Sequence, residues 1–265
     1  MERQGRKGTY AAPALDKAFR IIELLADRPE GMLISEMAAA LGRSLGELFR
    51  IVVVMEEARY LEKSPVDDRY RVTYKFLEIA HRATPAQRLT AAALPEMQQL
   101  AQAIGQSCHL VVIQGGAALV IAREENPGTR GFALRVGASI DILRSCSGRV
   151  LLAFSSAAEV DRVLGRAELT MGAPIGRARL TAELERVRSQ GFDLLESPIT
   201  RGVTDVSYPV FGFGGELMAA LTIPFLELID GSQSVKIDEA SSVLAATTMR
   251  ISKLLGYLEA EATTT

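Results

Sequence analysis

The chain has 265 residues, roughly twice the commonest domain size, so two domains are expected. Its 48% hydrophobic and 23% charged residues exclude disorder, collagen-like repetition and low complexity, and the lack of Trp with 6% aromatics implies an aliphatic core. A formal charge of −2 excludes an overall basic nucleic-acid glove but leaves room for a local basic patch.

Residues 1–12 carry Arg3, Arg6 and Lys7 without a hydrophobic period and read as a flexible basic arm. From Pro13, Leu15, Phe19, Ile22 and Leu25 recur at helical spacing, as a stripe facing a core, until Pro29 and Gly31 stop it. A second helix follows Ser35, read as its N-cap, and stops at Gly42. A third opens at Ser44, where Ser44-x-x-Glu47 has capping-box spacing and Leu48, Ile51, Val52 and Met55 supply a buried face. Two short β segments, YLEKS and RYRVT, flank a polar turn and make a hairpin. Helix, helix, tight turn, helix and hairpin over 13–75 is the layout of a winged helix-turn-helix. The same pattern serves a helical bundle that only packs, so both readings stand at this point.

KFLEIAHRAT continues as a helix, Pro85 breaks it, and a long helix with Leu89, Ala93, Met97, Leu100 and Ile104 follows, with a kink or a restart at Pro95. Together 76–104 read as linker helices. Beyond Gly105 the period becomes that of strands: SCHLVVI and ALVIARE form a hairpin around Gly115–Gly116, and GFALRV a third strand. SGRVLLAF, AAEVDRVL and TAELERVRSQ are helical; FDLLES, VTDVSYPVF and LMAALTIPF are strands; a helix over about 235–258 closes the domain. Residues 105–260 are thus an α+β domain around a largely antiparallel sheet, with 261–265 as a tail.

Cys108 and Cys146 lack C-x-x-C spacing, and no His/Asp/Glu cluster has metal-ligand spacing, so neither a disulfide framework, a metal nor a cofactor is expected. No signal-like h-region and no run of about 18 apolar residues occur, so a cytoplasmic protein with no membrane partner is expected. Cys146 or Ser147 with His109 and Asp205 can be written as a hydrolase-like trio, but no G-x-S-x-G supports it. His109, on a strand-like run, reads as a satisfied core histidine.

Several stretches are familiar: ALDKAFRIIELLA, ISEMAAALGRSLGELFRIVVVMEEARYLEK, SCHLVVIQGGAALVIARE, LRVGASIDILRSCSGRVLLAF and RSQGFDLLESPITRGVTDVSYPVFGFGGELMAALTI. In colinear order over roughly 13–258, the chain resembles the IclR family of bacterial transcription regulators. The resemblance implies an N-terminal winged helix-turn-helix, a linker helix and a C-terminal GAF-like effector-binding domain. It also implies a homodimer or homotetramer that binds a palindromic duplex operator and answers to a small organic acid. The alternatives are a helix-turn-helix ligand sensor acting through protein contacts and, far behind, the hydrolase-like enzyme. The chain departs from the family pattern at Arg59, where a glycine is usual, at the wing turn Asp67–Asp68–Arg69, at Ser145–Cys146–Ser147–Gly148–Arg149 and at Asp205.

For DNA the candidates are Arg43, Ser44, Leu45, Glu47 and Arg50 at the recognition helix, plus Arg69 and Arg71 in the wing. Residues 1–80 hold 13 basic and 13 acidic residues, so affinity must come from placement. The plainer readings are a capping box for Glu47 and a solvated face for Arg50. For the effector, the resemblance points to Leu143, Cys146, Ser147, Gly148, Asp205, Ser207 and Thr222, with Ile140 as apolar wall. The helix start at Gly148 suits a carboxylate. Asp205 opposes one unless protonated or paired with Arg135 or Arg144; a polar or cationic ligand is the other option. Cys146 reads as a small buried hydrophobe.

Overall fold

The computed structural model describes residues 12–83, 86–129, 131–172 and 174–258, in two compact units that divide between Thr84 and Pro85. The arm (apart from Ala12), the Pro85 break and the tail lie outside the described residues.

The first unit contains α1 (Pro13–Ala26), α2 (Ile34–Leu41), α3 (Leu45–Glu57), a hairpin of β1 (Leu61–Lys63) and β2 (Tyr70–Val72), and α4 (Lys75–Ala83). Pro13 sits in the first turn of α1, where its missing N–H costs nothing. The core is Ile21, Leu25, Met37, Leu48, Val52, Met55, Leu61 and Tyr70. The α1 stripe therefore runs through Ile21 and Leu25, whereas Leu15 and Phe19, expected inside, are each 55% exposed. A register one residue away from Ile22 carries the burial. Helix α2 begins at Ile34 with Leu33 as N-cap, not Ser35. The Glu36 carboxylate accepts the Leu33 N–H at 3.0 Å, which moves the helix start back from Ser35. Gly42 ends α2 in the left-handed conformation. Arg59, after α3, takes φ 62° itself, so the helix stops in left-handed geometry without a glycine.

The second unit is one antiparallel sheet in the order β5-β4-β3-β8-β7-β6: β3 (Cys108–Gln114), β4 (Ala117–Glu124), β5 (Ser139–Ile140), β6 (Asp193–Glu196), β7 (Val203–Phe211) and β8 (Leu217–Leu226). Helices α5 (Ala86–Ile104) and α9 (Ile237–Leu254) cover one face, over Leu110, Val206, Leu221 and Ile223. On the other lie α6 (Cys146–Phe154), α7 (Ala157–Met171) and α8 (Arg177–Gln190), over Val111, Val120 and Ala220. Residues one apart on a strand point to opposite faces, which is why Leu110 and Val111 belong to different cores.

The stretch 76–104 is divided between the units. Its Leu89–Ile104 stripe is buried in the second unit's own core, so α5 is part of that domain. Pro95 lies inside the unbroken α5 rather than restarting it. GFALRV is not a strand: residues 131–136 are irregular, and the edge of the sheet is the two-residue β5. Among the described residues, no helix is long and apolar enough to cross a membrane.

Candidate functional site

In the first unit the turn before α3 is short, and Ser44 accepts the Glu47 N–H at 3.4 Å. The reciprocal half of the capping box is missing. Glu47 instead pairs with Lys17 of α1, whose ammonium holds its carboxyl below the usual range. Glu47 thus fastens α3 to α1 and is occupied, contrary to its candidacy for base reading. The outward face of α3 carries Ser44, Leu45, Phe49, Arg50 and Val54, all exposed. Arg43 and Arg50 are exposed and, among the described residues, have no salt-bridge partner.

The wing arginines are different. Arg69 donates to Glu36 at 2.8 and 3.0 Å and to the Gly31 carbonyl at 3.0 Å. Arg71 donates to the Glu30 carbonyl at 2.8 Å and to Asp67 at 3.0 Å. Both guanidinium groups therefore bind the hairpin to the loop after α1, and neither projects as a free cation. Leu33 N–H and Arg69 together hold the Glu36 carboxyl below its ordinary value. Nothing in the spacing of the sequence foretells this long-range fork, because Glu36 and Arg69 meet only after the hairpin folds back.

In the second unit a cavity of about 210 Å³ opens between the sheet and the start of α6. Its floor is polar: His109 on β3, Thr222 on β8 and Asp205 on β7, with Ser147 from α6. Sheet register explains the grouping. His109 lies opposite Thr222, Thr222 opposite Ser207, and Asp205 is two residues from Ser207, hence on the same face. Phe132, Leu134, Ala138 and Ile140 form one wall, Pro198 and Ile199 another, and Ser139, Asp141, Arg144 and Ser145 complete the lining. Asp141 builds the entry to α6 by accepting the Leu143 and Arg144 N–H groups at 2.9 and 3.2 Å, and the Ser145 hydroxyl caps Gly148 N at 3.1 Å.

Of the seven expected effector residues, Ser147, Asp205 and Thr222 line this cavity and the other four do not. Ser207 is buried behind Thr222, their hydroxyls 2.8 Å apart. Cys146 is buried with its thiol donating to the carbonyls of Asp193 and Asp205 at 3.2 and 3.4 Å. Burial first, then Asp193 and Asp205, push its pKa well above the ordinary thiol value, so it is no nucleophile. Gly148 packs so tightly that a Cβ would lie 2.2 Å from the Ile142 carbonyl oxygen; its role is that close approach. Leu143 faces a neighbouring cleft with Arg179 and Glu183.

Two findings correct the sequence reading of the floor. His109 is 3% exposed, yet its Nδ1 has no hydrogen-bond partner, so it is not a satisfied core histidine. Burial pushes its pKa down to about 4. Asp205 is half-buried, and among the described residues neither Arg135 nor Arg144 forms a salt bridge with it. Burial, reinforced by Asp193, raises its pKa to about 6. The period of β3 carried a usable signal, since His109 shares its strand face with Val111 and Ile113, on the α6 side. The wall at 132–140 carried none, being irregular chain.

Comparison with known families agrees with this architecture. The helix-turn-helix domain model of IclR matches residues 14–65, and the model of the bacterial transcriptional regulator IclR C-terminal domain matches 81–252. The chain belongs to the IclR family. Among curated relatives, the HTH-type transcriptional regulator XynR of Escherichia coli K12 is 23% identical over 92% of this chain and 97% of its own length. KdgR of the same organism is 24% identical over 91% and 92%. Among solved structures, Thermotoga maritima IclR superposes with TM-score 0.70 at 26% identity, covering 92% of this chain and 98% of that one. An IclR homologue from Microbacterium hydrocarbonoxydans, complexed with 4-hydroxybenzoate, gives TM-score 0.74 at 21% identity, covering 91% and 98%. As an IclR-family chain this is a transcriptional regulator with a helix-turn-helix and a C-terminal ligand-binding domain, not an enzyme.

Proposed function

We propose that this IclR-family protein binds a palindromic duplex operator through the N-terminal end of α3 and that a small organic effector in the β3–β8–β7 cavity controls the affinity. The observation that carries the DNA half is a pair of exposed guanidinium groups, Arg43 and Arg50, that form no salt bridge among the described residues, beside the exposed Leu45 and Phe49. Arginines read guanine edges or phosphates, and apolar side chains contact thymine methyl groups. The cavity, with its polar floor and apolar walls, has the make-up of a small-molecule site. The Microbacterium homologue's complex with 4-hydroxybenzoate supports small molecules that carry a carboxylate as the first class to screen. Effector coupling in such proteins amounts to about 1–3 kcal/mol, or roughly 5–150-fold in operator affinity.

Arg50→Ala is expected to weaken binding to a duplex selected from a randomised pool by about 1–3 kcal/mol, measured by anisotropy at fixed salt. Unchanged affinity would remove α3 from the groove. Arg69→Ala serves as the contrast. It should lower the melting temperature of the N-terminal domain through loss of the Glu36 fork, and affect DNA binding only as far as the fold suffers.

The exposed Leu15 and Phe19 on α1 favour assembly through the N-terminal domain, and a palindrome needs two recognition helices. The Leu89–Ile104 stripe is buried within its own domain and offers no face for assembly. Light scattering at micromolar concentration is expected to give at least a dimer, and Phe19→Ser to shift the distribution towards monomer. A monomeric wild-type chain would refute this assembly.

A further inference from the structure

Among the described residues, the cavity floor holds a buried ring nitrogen without a hydrogen-bond partner and a carboxylate without a salt bridge. His109 is 3% exposed, lines the cavity and leaves Nδ1 without a partner. A buried polar atom left unpaired is costly, and such an atom facing a cavity marks the place of a ligand group. On the same sheet face, across β8 and two residues along β7, stands the Asp205 carboxylate, half-buried and, among the described residues, without a salt bridge. Ser207 and Thr222 satisfy each other and so do not answer this need. A neutral imidazole can present Nδ1 as an acceptor by carrying its proton on Nε2, and an ionised carboxylate is an acceptor only. The floor therefore asks for hydrogen-bond donors and positive charge, and repels a ligand carboxylate.

Where the chain enters α6 the lining has a different character, the Asp141 carboxylate there being taken up by the Leu143 and Arg144 N–H groups. Arg144 is exposed in the lining and, among the described residues, forms no salt bridge. It lies on the turn that leads into the N-terminus of α6, whose backbone dipole also favours an anion. A ligand with one charge of each sign matches this gradient; a plain acid matches only half of it.

Resting on the reading of this cavity as the effector site, we propose that the effector is a small zwitterion of the amino-acid class. Its ammonium group lies on the floor between His109 and Asp205, and its carboxylate points towards Arg144 and the start of α6. Asp205 thereby selects against simple organic acids, because an acid reaching the floor meets an uncompensated carboxylate. The apolar walls from Phe132, Leu134 and Ile140 hold the carbon chain between the two ends.

The test is calorimetry on the full chain with 5-aminopentanoate, 5-hydroxypentanoate and pentanoate, and with the shorter and longer members of each series. The best amino acid should bind about tenfold or more tighter than its hydroxy and unsubstituted partners, the scale of a charge-assisted hydrogen bond. In Asp205→Asn that preference should collapse, with the unsubstituted acid binding as well as before or better. Ser139→Trp, at an exposed position in the cavity mouth, should abolish binding while leaving the fold intact by circular dichroism. Equal binding of all three classes, lost in Ser139→Trp, overturns the ammonium assignment and leaves the cavity as the effector site. Binding that survives Ser139→Trp overturns the cavity itself. No binding by any amino acid in the series, or a preference that persists in Asp205→Asn, also overturns the assignment.

Discussion

Asp193→Ala is expected to destabilise the C-terminal domain by about 3 kcal/mol, the low end of the cost of breaking a buried ion pair. Asp193 is fully buried at the start of β6 and accepts from Arg149 of α6 at 2.7 Å and from Arg186 of α8 at 2.6 Å. One carboxylate therefore ties two helices to the sheet. Removing it leaves the Arg149 side chain, 11% exposed, with Glu183 at 3.8 Å as its remaining salt-bridge partner among the described residues. Arg186 is 42% exposed and can return to water, which keeps the loss from being larger. Urea denaturation of the variant should show an earlier midpoint at unchanged slope. Asp193→Asn, which keeps acceptor geometry on one side, should fall between the two. A midpoint within error of wild type would mean that the pairs contribute register and not stability. Because Asp193 also raises the Asp205 pKa, its removal should lower that value towards the ordinary range.

Acidification should weaken the same domain through His109, by about 3 kcal/mol in total. Burial holds the folded imidazole neutral with a pKa of about 4, while in the unfolded chain the ordinary value of 6.5 applies. The unfolded state therefore binds the proton first. Stability from this group is complete above pH 6.5 and is lost as pH falls towards about 4, at about 1.4 kcal/mol per unit. Asp205 acts in the opposite sense. Its folded pKa of about 6 lies above the ordinary 3.8, so ionisation opposes folding and that burden lifts as pH falls through 6. The two slopes partly cancel in the wild type. Asp205→Asn should therefore raise stability at pH 7 and expose the full acid slope, which His109→Asn should flatten. Chemical denaturation between pH 4 and 7.5 reads all three chains. A wild-type slope that persists in His109→Asn would place the acid sensitivity elsewhere.

Much of the fold was legible because it is written in short-range patterns. Alternation on β3, β4, β7 and β8 located the sheet, glycines at 42 and 191 located helix ends, and Ser44 located the start of α3. The failures have a common physical cause. Leu15 and Phe19 repeat at helical spacing exactly as core residues do, and only the partner surface decides which stripe is buried. Residues 131–136 alternate like a strand, but the chain there remains irregular and the sheet ends at the two-residue β5. The site was less legible still. Ser147, Asp205 and Thr222 came from family resemblance, and the register of the sheet brings them to one cavity. Arg69 and Arg71 looked like free wing cations because Glu36, Glu30 and Gly31 are more than thirty residues away in sequence. His109 looked ordinary because a missing hydrogen-bond partner cannot be seen without neighbours.

Duplex recognition by α3 is tested most directly by selection of this chain's binding sites from a randomised DNA pool. An inverted repeat should be enriched, with half-site centres about one helical turn or a multiple of it apart, and its binding should weaken steeply with salt. Arg50→Ala should bind that duplex at least several-fold more weakly. Failure to enrich any sequence at low salt, or enrichment that Arg43→Ala and Arg50→Ala both leave untouched, would contradict operator reading by α3.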